Sequence, residues 1–85
     1  MTTAPKTRTI SQENKAIAKD YINAAARGVY LASLYERDGN PKMMRRAEDT
    51  RAKVKLNVWN AASIMKCSYD EAYQMVGERY RERFL

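Results

Sequence analysis

The amino-acid sequence predicts an all-α, three-helix protein in which two long antiparallel helices precede a shorter C-terminal helix. Apolar residues recur at steps of three and four along most of the chain, which is the period of an amphipathic helix. Gly and Pro occur close together only in residues 38–41, so one tight turn separates the two long periodic stretches. A chain of 85 residues forms one domain at most, and we assign residues 11–85 to it.

The first long helix is expected to begin after Ser11, whose hydroxyl can cap the free amides of the first turn. Its apolar stripe, widened by smaller residues beside it, consists of Ile17, Tyr21, Ala24, Gly28, Leu31 and Tyr35. Gly28 is expected to mark a close helix crossing, since glycine inside a helix costs about 1 kcal/mol relative to alanine. The helix should end at Gly39, which suits the left-handed conformation of a helix end.

The second helix is predicted from about Pro41 to Cys67, with Asn40 as its cap. One apolar face, which Arg51 interrupts, comprises Met44, Ala47, Val54, Val58, Ala61 and Met65. A second apolar strip on another side comprises Ala52, Leu56 and Trp59. Two apolar faces indicate two neighbours, and the short third helix can cover only part of them. We therefore expect a homodimer, in which a second copy covers the remaining strip.

The third helix is predicted to begin at Ser68-Tyr69-Asp70-Glu71, which matches a capping box. Because neither Gly nor Pro stands here, a continuous rod of helices two and three is the alternative. The segment 58–76 also invites comparison with a helix-turn-helix. That alternative places Asp70 and Glu71 at the start of the recognition helix, where they would repel DNA phosphates.

Positive charge is concentrated in one part of the chain. The net charge is +6, and residues 40–67 alone contain seven basic and two acidic side chains. Residues 1–10, with Lys6 and Arg8, are predicted to form a flexible basic tail, or else an ordinary frayed terminus. Such a distribution favours a negatively charged partner, either nucleic acid or an acidic protein surface.

One side of the second helix predicts a nucleic-acid contact. Polar residues recur along it at helical spacing, and Lys and Arg neutralise phosphates while Asn can bond base edges. The predicted nucleic-acid-binding residues are Lys42, Arg46, Lys53, Asn57 and Asn60, with Asp49 on the same stripe. The alternative is that this stripe is the solvent side of an amphipathic helix.

A second hypothesis is that the chain binds a host protein, as small helical inhibitors and adaptors encoded by phages and plasmids do. Tyr30 lies off the core stripe, on a side of the first helix that also carries Arg27 and Arg37. Exposed aromatic and arginine side chains are enriched at protein interfaces. The predicted protein-binding residues are therefore Arg27, Tyr30 and Arg37.

Neither catalysis, a cofactor nor a metal site is expected. The chain has no histidine and one cysteine, Cys67, so nucleophile–base pairs and common metal sites lack their residues. An enzyme that clamps an anionic substrate between Arg and Lys remains conceivable, but the spacing of the basic groups does not match one. No stretch approaches the ~20 apolar residues that span a membrane, and a single cysteine favours the reducing cytoplasm.

Overall fold

The computed structural model describes residues 10–85, which form three α-helices and contain no β-strand. Helix α1 spans Gln12–Asp38, α2 spans Pro41–Met65 and α3 spans Tyr69–Phe84. The predicted all-α class is thereby confirmed for this part of the chain. Except for Ile10, the predicted basic tail lies outside the described residues.

The turn between α1 and α2 is formed by the residues that the sequence indicates. Gly39 ends α1 in the left-handed conformation, at φ 81°. The side chain of Asn40 then accepts a hydrogen bond from the Met43 amide at 2.9 Å, and Pro41 occupies the first turn of α2. At the other end of α1, the Ser11 hydroxyl accepts a hydrogen bond from a first-turn amide at 3.1 Å. These bonds satisfy amides that a helix start leaves without partners.

A break separates α2 from α3, so the continuous rod does not form. Lys66 adopts the left-handed conformation at φ 57° and ψ 44°, and the Cys67 amide donates to the Ala62 carbonyl at 3.0 Å. Ser68 and Glu71 then form the predicted capping box, with bonds of 3.1 and 3.0 Å. Lysine stands at this left-handed position, where glycine is usual.

Small side chains build most of the core. Its buried residues are Ile22, Ala25, Ala26, Val54, Val58, Ala61, Ala62, Ala72 and Val76. Val58 and Val76 are the largest side chains that are fully buried. Because alanine extends little from the backbone, the helices approach closely, and larger aromatic residues pack around the edge of the core.

The buried face of α1 is displaced from the centre of the predicted stripe. Ile17 is 45% exposed and Ala24 is also exposed, whereas their neighbours Ala18 and Ala25 are buried. Both α2 and α3 contact α1. The α1 residues that lie between α2 and α3 are therefore the ones that become buried.

Arg51, which interrupts the apolar face of α2, forms an ion pair with Glu36 of α1. Its Nε and Nη2 atoms donate to the two carboxylate oxygens at 2.6 and 2.7 Å. This two-point geometry is the strongest form of an Arg–carboxylate contact. Arg51 is exposed, so it interrupts the apolar face at the surface, where the neighbouring helix provides its counter-charge.

Candidate nucleic-acid interface

A groove runs between α1 and α2 beside Gly28, where the two helices approach closely. A Cβ atom added to Gly28 would lie 2.5 Å from Val54 Cγ2, closer than real Cβ contacts allow. The predicted helix crossing at Gly28 is therefore present. The groove beside it has a volume of about 350 Å³. On the α1 side, Ala24 and Gly28 line it with little or no side chain.

The lining of this α1–α2 groove carries positive charge on a largely apolar surface. It consists of Ala24, Arg27, Gly28, Leu31, Tyr35, Thr50, Lys53, Val54 and Asn57. Arg27 comes from α1 and Lys53 from α2, and the lining contains no carboxylate. Within residues 10–85 the ion pairs are Glu36–Arg51 and Arg79–Glu82, so neither Arg27 nor Lys53 forms one there.

The five residues predicted to bind nucleic acid are distributed unevenly about the groove. Lys53 and Asn57 line it. Arg46 lies at one end, where its Cζ atom is 6.0 Å from the centre of the Tyr35 ring. Lys42 is exposed in the first turn of α2, and Asn60 is half-buried, but neither lines the groove.

The three residues predicted to bind protein do not share one surface feature. Arg27 lines the α1–α2 groove, and Arg37 is exposed in the last turn of α1. Tyr30 is half-buried, and its ring stacks on Phe84 of α3 with centroids 4.5 Å apart and planes 8° apart. The two predicted sites therefore meet at Arg27, which the sequence assigns to protein binding alone.

A second groove, between α1 and α3, adjoins the first. Its volume is about 250 Å³, and it is lined by Asn23, Ala24, Arg27, Arg83 and Phe84. Arg79 donates from Nε to Asn23 Oδ1 at 2.7 Å, and the Arg83 Cζ atom lies 6.0 Å from the Phe84 ring centre. Sequence reasoning missed this α1–α3 groove, because the alternating charges of α3 are typical of a solvated surface.

An aromatic patch lies on another part of the surface. Leu56 is 60% exposed, Trp59 59% and Tyr73 49%. The Tyr69 ring connects the two other aromatic residues, at centroid distances of 4.9 Å to Trp59 and 6.0 Å to Tyr73. Partial burial, followed by the charges of Tyr73 and Asp70, raises the pKa of Tyr69. The second apolar strip of α2 is therefore left largely uncovered by α3.

A further groove, of about 410 Å³, carries charges of both signs. Lys15, Lys19 and Arg79 line it together with Glu78 and Glu82, so its cations have carboxylates beside them. Within residues 10–85, no three His, Cys, Asp or Glu side chains cluster as metal ligands would. No helix in the same range has the length and apolar character needed to cross a membrane.

Comparison of the chain with protein-family models, with curated proteins and with solved structures gives no match.

Proposed function

We propose that this protein binds nucleic acid along the α1–α2 groove. The observation that carries the proposal is the convergence of Arg27 and Lys53, from two helices, on one groove without a carboxylate. Closely spaced cations that lack acidic partners attract a polyanion. No catalytic step is proposed.

The groove also contains groups that can hold a strand in position. Thr50 and Asn57 provide neutral hydrogen-bonding side chains beside the two cations. Arg46, held over the Tyr35 ring, adds a third positive charge at one end of the groove. Phosphate contacts of this kind fix register and orientation, whereas amide side chains can read base edges.

The test compares two double variants with the same change of charge. Arg27→Gln with Lys53→Gln removes the groove cations, and Arg45→Gln with Lys55→Gln removes exposed cations of α2 that line no groove. Binding of labelled oligonucleotides is measured by fluorescence anisotropy over a range of salt concentrations. We expect the groove variant to lower the log–log salt slope by about 1.4 on single strands or 1.8 on duplex DNA.

Equal slopes for the two double variants would show that the groove is not the binding surface. Absence of salt-sensitive binding of the wild-type chain to single-stranded DNA, duplex DNA and RNA would overturn the function itself. In that case the host-protein inhibitor or adaptor becomes the better hypothesis, since basic surfaces also bind acidic proteins.

We infer that α1 and α2 run antiparallel and that two copies of the chain associate through the aromatic patch. Antiparallel packing is supported by the order of the contacts, in which Glu36 meets Arg51 and the earlier Gly28 meets the later Val54. Dimerisation is supported by the exposed side chains of Leu56 and Trp59, which a symmetric contact would bury twice. The single cysteine supports a location in the reducing cytoplasm.

A further inference from the structure

The α1–α3 groove combines side chains that suit one nucleotide. It contains two guanidinium groups, an amide and an aromatic ring, and no carboxylate lines it. We propose that this groove holds one nucleotide of a single-stranded nucleic acid whose adjacent nucleotides lie in the α1–α2 groove. The proposal rests on the proposed function and adds Asn23, Arg83 and Phe84 to the binding surface.

Asn23 lines the α1–α3 groove as well as the mixed-charge groove, and its side-chain amide can donate a hydrogen bond. A guanidinium group can only donate hydrogen bonds, so the atom of Asn23 that receives the Arg79 Nε–H at 2.7 Å must be the carbonyl oxygen. The side-chain NH₂ group, which points away from that bond, is then left to donate to a phosphate or a base oxygen. Because Arg79 also pairs with Glu82 at 3.2 Å, its own position is fixed from a second side.

Phe84 provides a stacking surface that is supported from behind. Its ring stacks on Tyr30 at 4.5 Å and contacts Tyr80 at 5.5 Å, so two aromatic neighbours hold it in place. Arg83 lies over the same ring at 6.0 Å. A base that stacks on Phe84 would release this guanidinium toward the phosphate, and aromatic stacking of this kind tolerates any base sequence.

The two grooves form one path across α1. Ala24 and Arg27 line both of them, so the two grooves adjoin at the methyl group of Ala24 and the guanidinium group of Arg27. A helix is about 10–12 Å wide, and a strand must bend over it to occupy both sides. The bases of duplex DNA are paired and stacked, so none is free to stack on Phe84. A single strand can bend over α1 and place an unpaired base on this ring.

The experiment uses the full chain and the variant Arg83→Gln, with Arg81→Gln as the matched control. Arg81 lies on the same helix and is exposed, but it lines neither groove. Anisotropy titrations use a labelled single strand and a duplex of the same sequence, with unlabelled mononucleotide as a competitor. We expect Arg83→Gln to weaken single-strand binding about tenfold, as loss of one charged hydrogen bond would. Its salt slope should fall by about 0.7.

A second variant, Phe84→Leu, separates stacking from charge. It should weaken single-strand binding about fivefold or more while leaving the salt slope unchanged, because stacking releases no counterions. Circular dichroism of each variant establishes that the helices are retained. Duplex binding should respond to Arg83→Gln no more than to Arg81→Gln.

Equal effects of Arg83→Gln and Arg81→Gln on single-strand binding would overturn the α1–α3 site. If the double variant Arg27→Gln with Lys53→Gln still lowered the salt slope, nucleic-acid binding along the α1–α2 groove would stand without the α1–α3 site. Competition by free mononucleotide as effective as that by the oligonucleotide would also overturn the strand path, since it would identify a pocket for isolated nucleotides.

Discussion

Gly28 and Gly77 both stand inside helices, but the space beside them differs. An added Cβ at Gly28 would meet Val54 at 2.5 Å, whereas nothing lies within 4 Å of one at Gly77. Glycine inside a helix weakens it by about 1 kcal/mol relative to alanine. That weakness has a packing reason at Gly28, because the contact with α2 requires the absence of a side chain.

We predict opposite changes in stability for the same substitution at these two glycines. Gly77→Ala should raise the free energy of unfolding by up to about 1 kcal/mol, since alanine favours the helix. Gly28→Ala should lower it by about 1–2 kcal/mol, because overpacking exceeds the gain in helix propensity. Chemical denaturation of both variants measures the difference. A stabilising effect of Gly28→Ala would show that α2 can withdraw from α1 without cost.

Arg51 and Glu36 show how two helices together determine the role of a residue. On α2 alone, Arg51 interrupts an apolar face, but beside α1 it forms two hydrogen bonds to one carboxylate. Those hydrogen bonds, followed by the positive charge of Arg51, lower the pKa of Glu36, while partial burial opposes the shift. A lowered pKa in the folded chain means that the ionised carboxylate stabilises the fold.

The pH dependence of stability follows from the sign of this shift. The contribution of Glu36 is complete above its ordinary pKa of 4.5 and disappears as the pH falls through its lower value in the folded chain. Glu36→Gln should therefore be less stable than wild type near neutral pH, with a difference that vanishes in acid. Thermal unfolding from neutral pH to about pH 2 measures this difference.

Two further substitutions show whether the pH effect belongs to the ion pair. Arg51→Gln should remove the same pH-dependent part, and combining it with Glu36→Gln should add little, because the two residues act as one unit. Glu48→Gln, at an exposed carboxylate that makes no ion pair within residues 10–85, controls for the change of charge. A constant difference between wild type and Glu36→Gln at every pH would contradict this assignment.

The ends of the helices could be predicted from the sequence because their signals are local. The caps at Ser11, Asn40 and Ser68 depend on atoms within three residues of each cap. The candidate site is different, since Arg27 and Lys53 are 26 positions apart and meet only through the rotation of α1 against α2. Helical periodicity gives the faces of each helix but not the angle at which they meet.

For the same reason, the α1–α3 groove could not be derived from the pattern of α3. Arg83 stands among alternating charges that are typical of a solvated face, and packing of α3 on α1, including the stacking of Phe84 on Tyr30, brings it beside α1. Tyr30, in turn, is the aromatic residue that the sequence assigns to a protein interface. Its partner in the same chain is 54 residues away, beyond the reach of any local rule.

The lengths of the three helices leave part of the molecule uncovered. Helix α1 has 27 residues and α3 has 16, which correspond to about 40 and 24 Å. The third helix also leaves the outer strip of α2 exposed, where Trp59 contacts Tyr69 of α3 and Leu56 is 60% exposed. Exposed apolar side chains such as Leu56, Trp59 and Tyr73 are costly for an 85-residue chain, and symmetric association removes that cost.

We therefore predict that the chain is a dimer in solution and that Leu56 lies in the interface. Leu56→Glu should weaken self-association about tenfold or more, because the interface would have to bury an unpaired carboxylate. Leu56 is chosen because it is 60% exposed and lies outside the buried core, so the fold should survive the substitution. Light scattering over a concentration series gives the mass, and Trp59 fluorescence should shift to shorter wavelength as dimers form.

Leu85→Glu provides the matched control, because Leu85 is even more exposed than Leu56 and lies outside the aromatic patch. It should leave the dimer intact. A monomer mass for the wild-type chain at high micromolar concentration would contradict the prediction, and so would equal association of the two variants. A monomeric wild type would leave the patch available to a different protein, at a surface other than the Arg27, Tyr30 and Arg37 that the sequence assigns to protein binding.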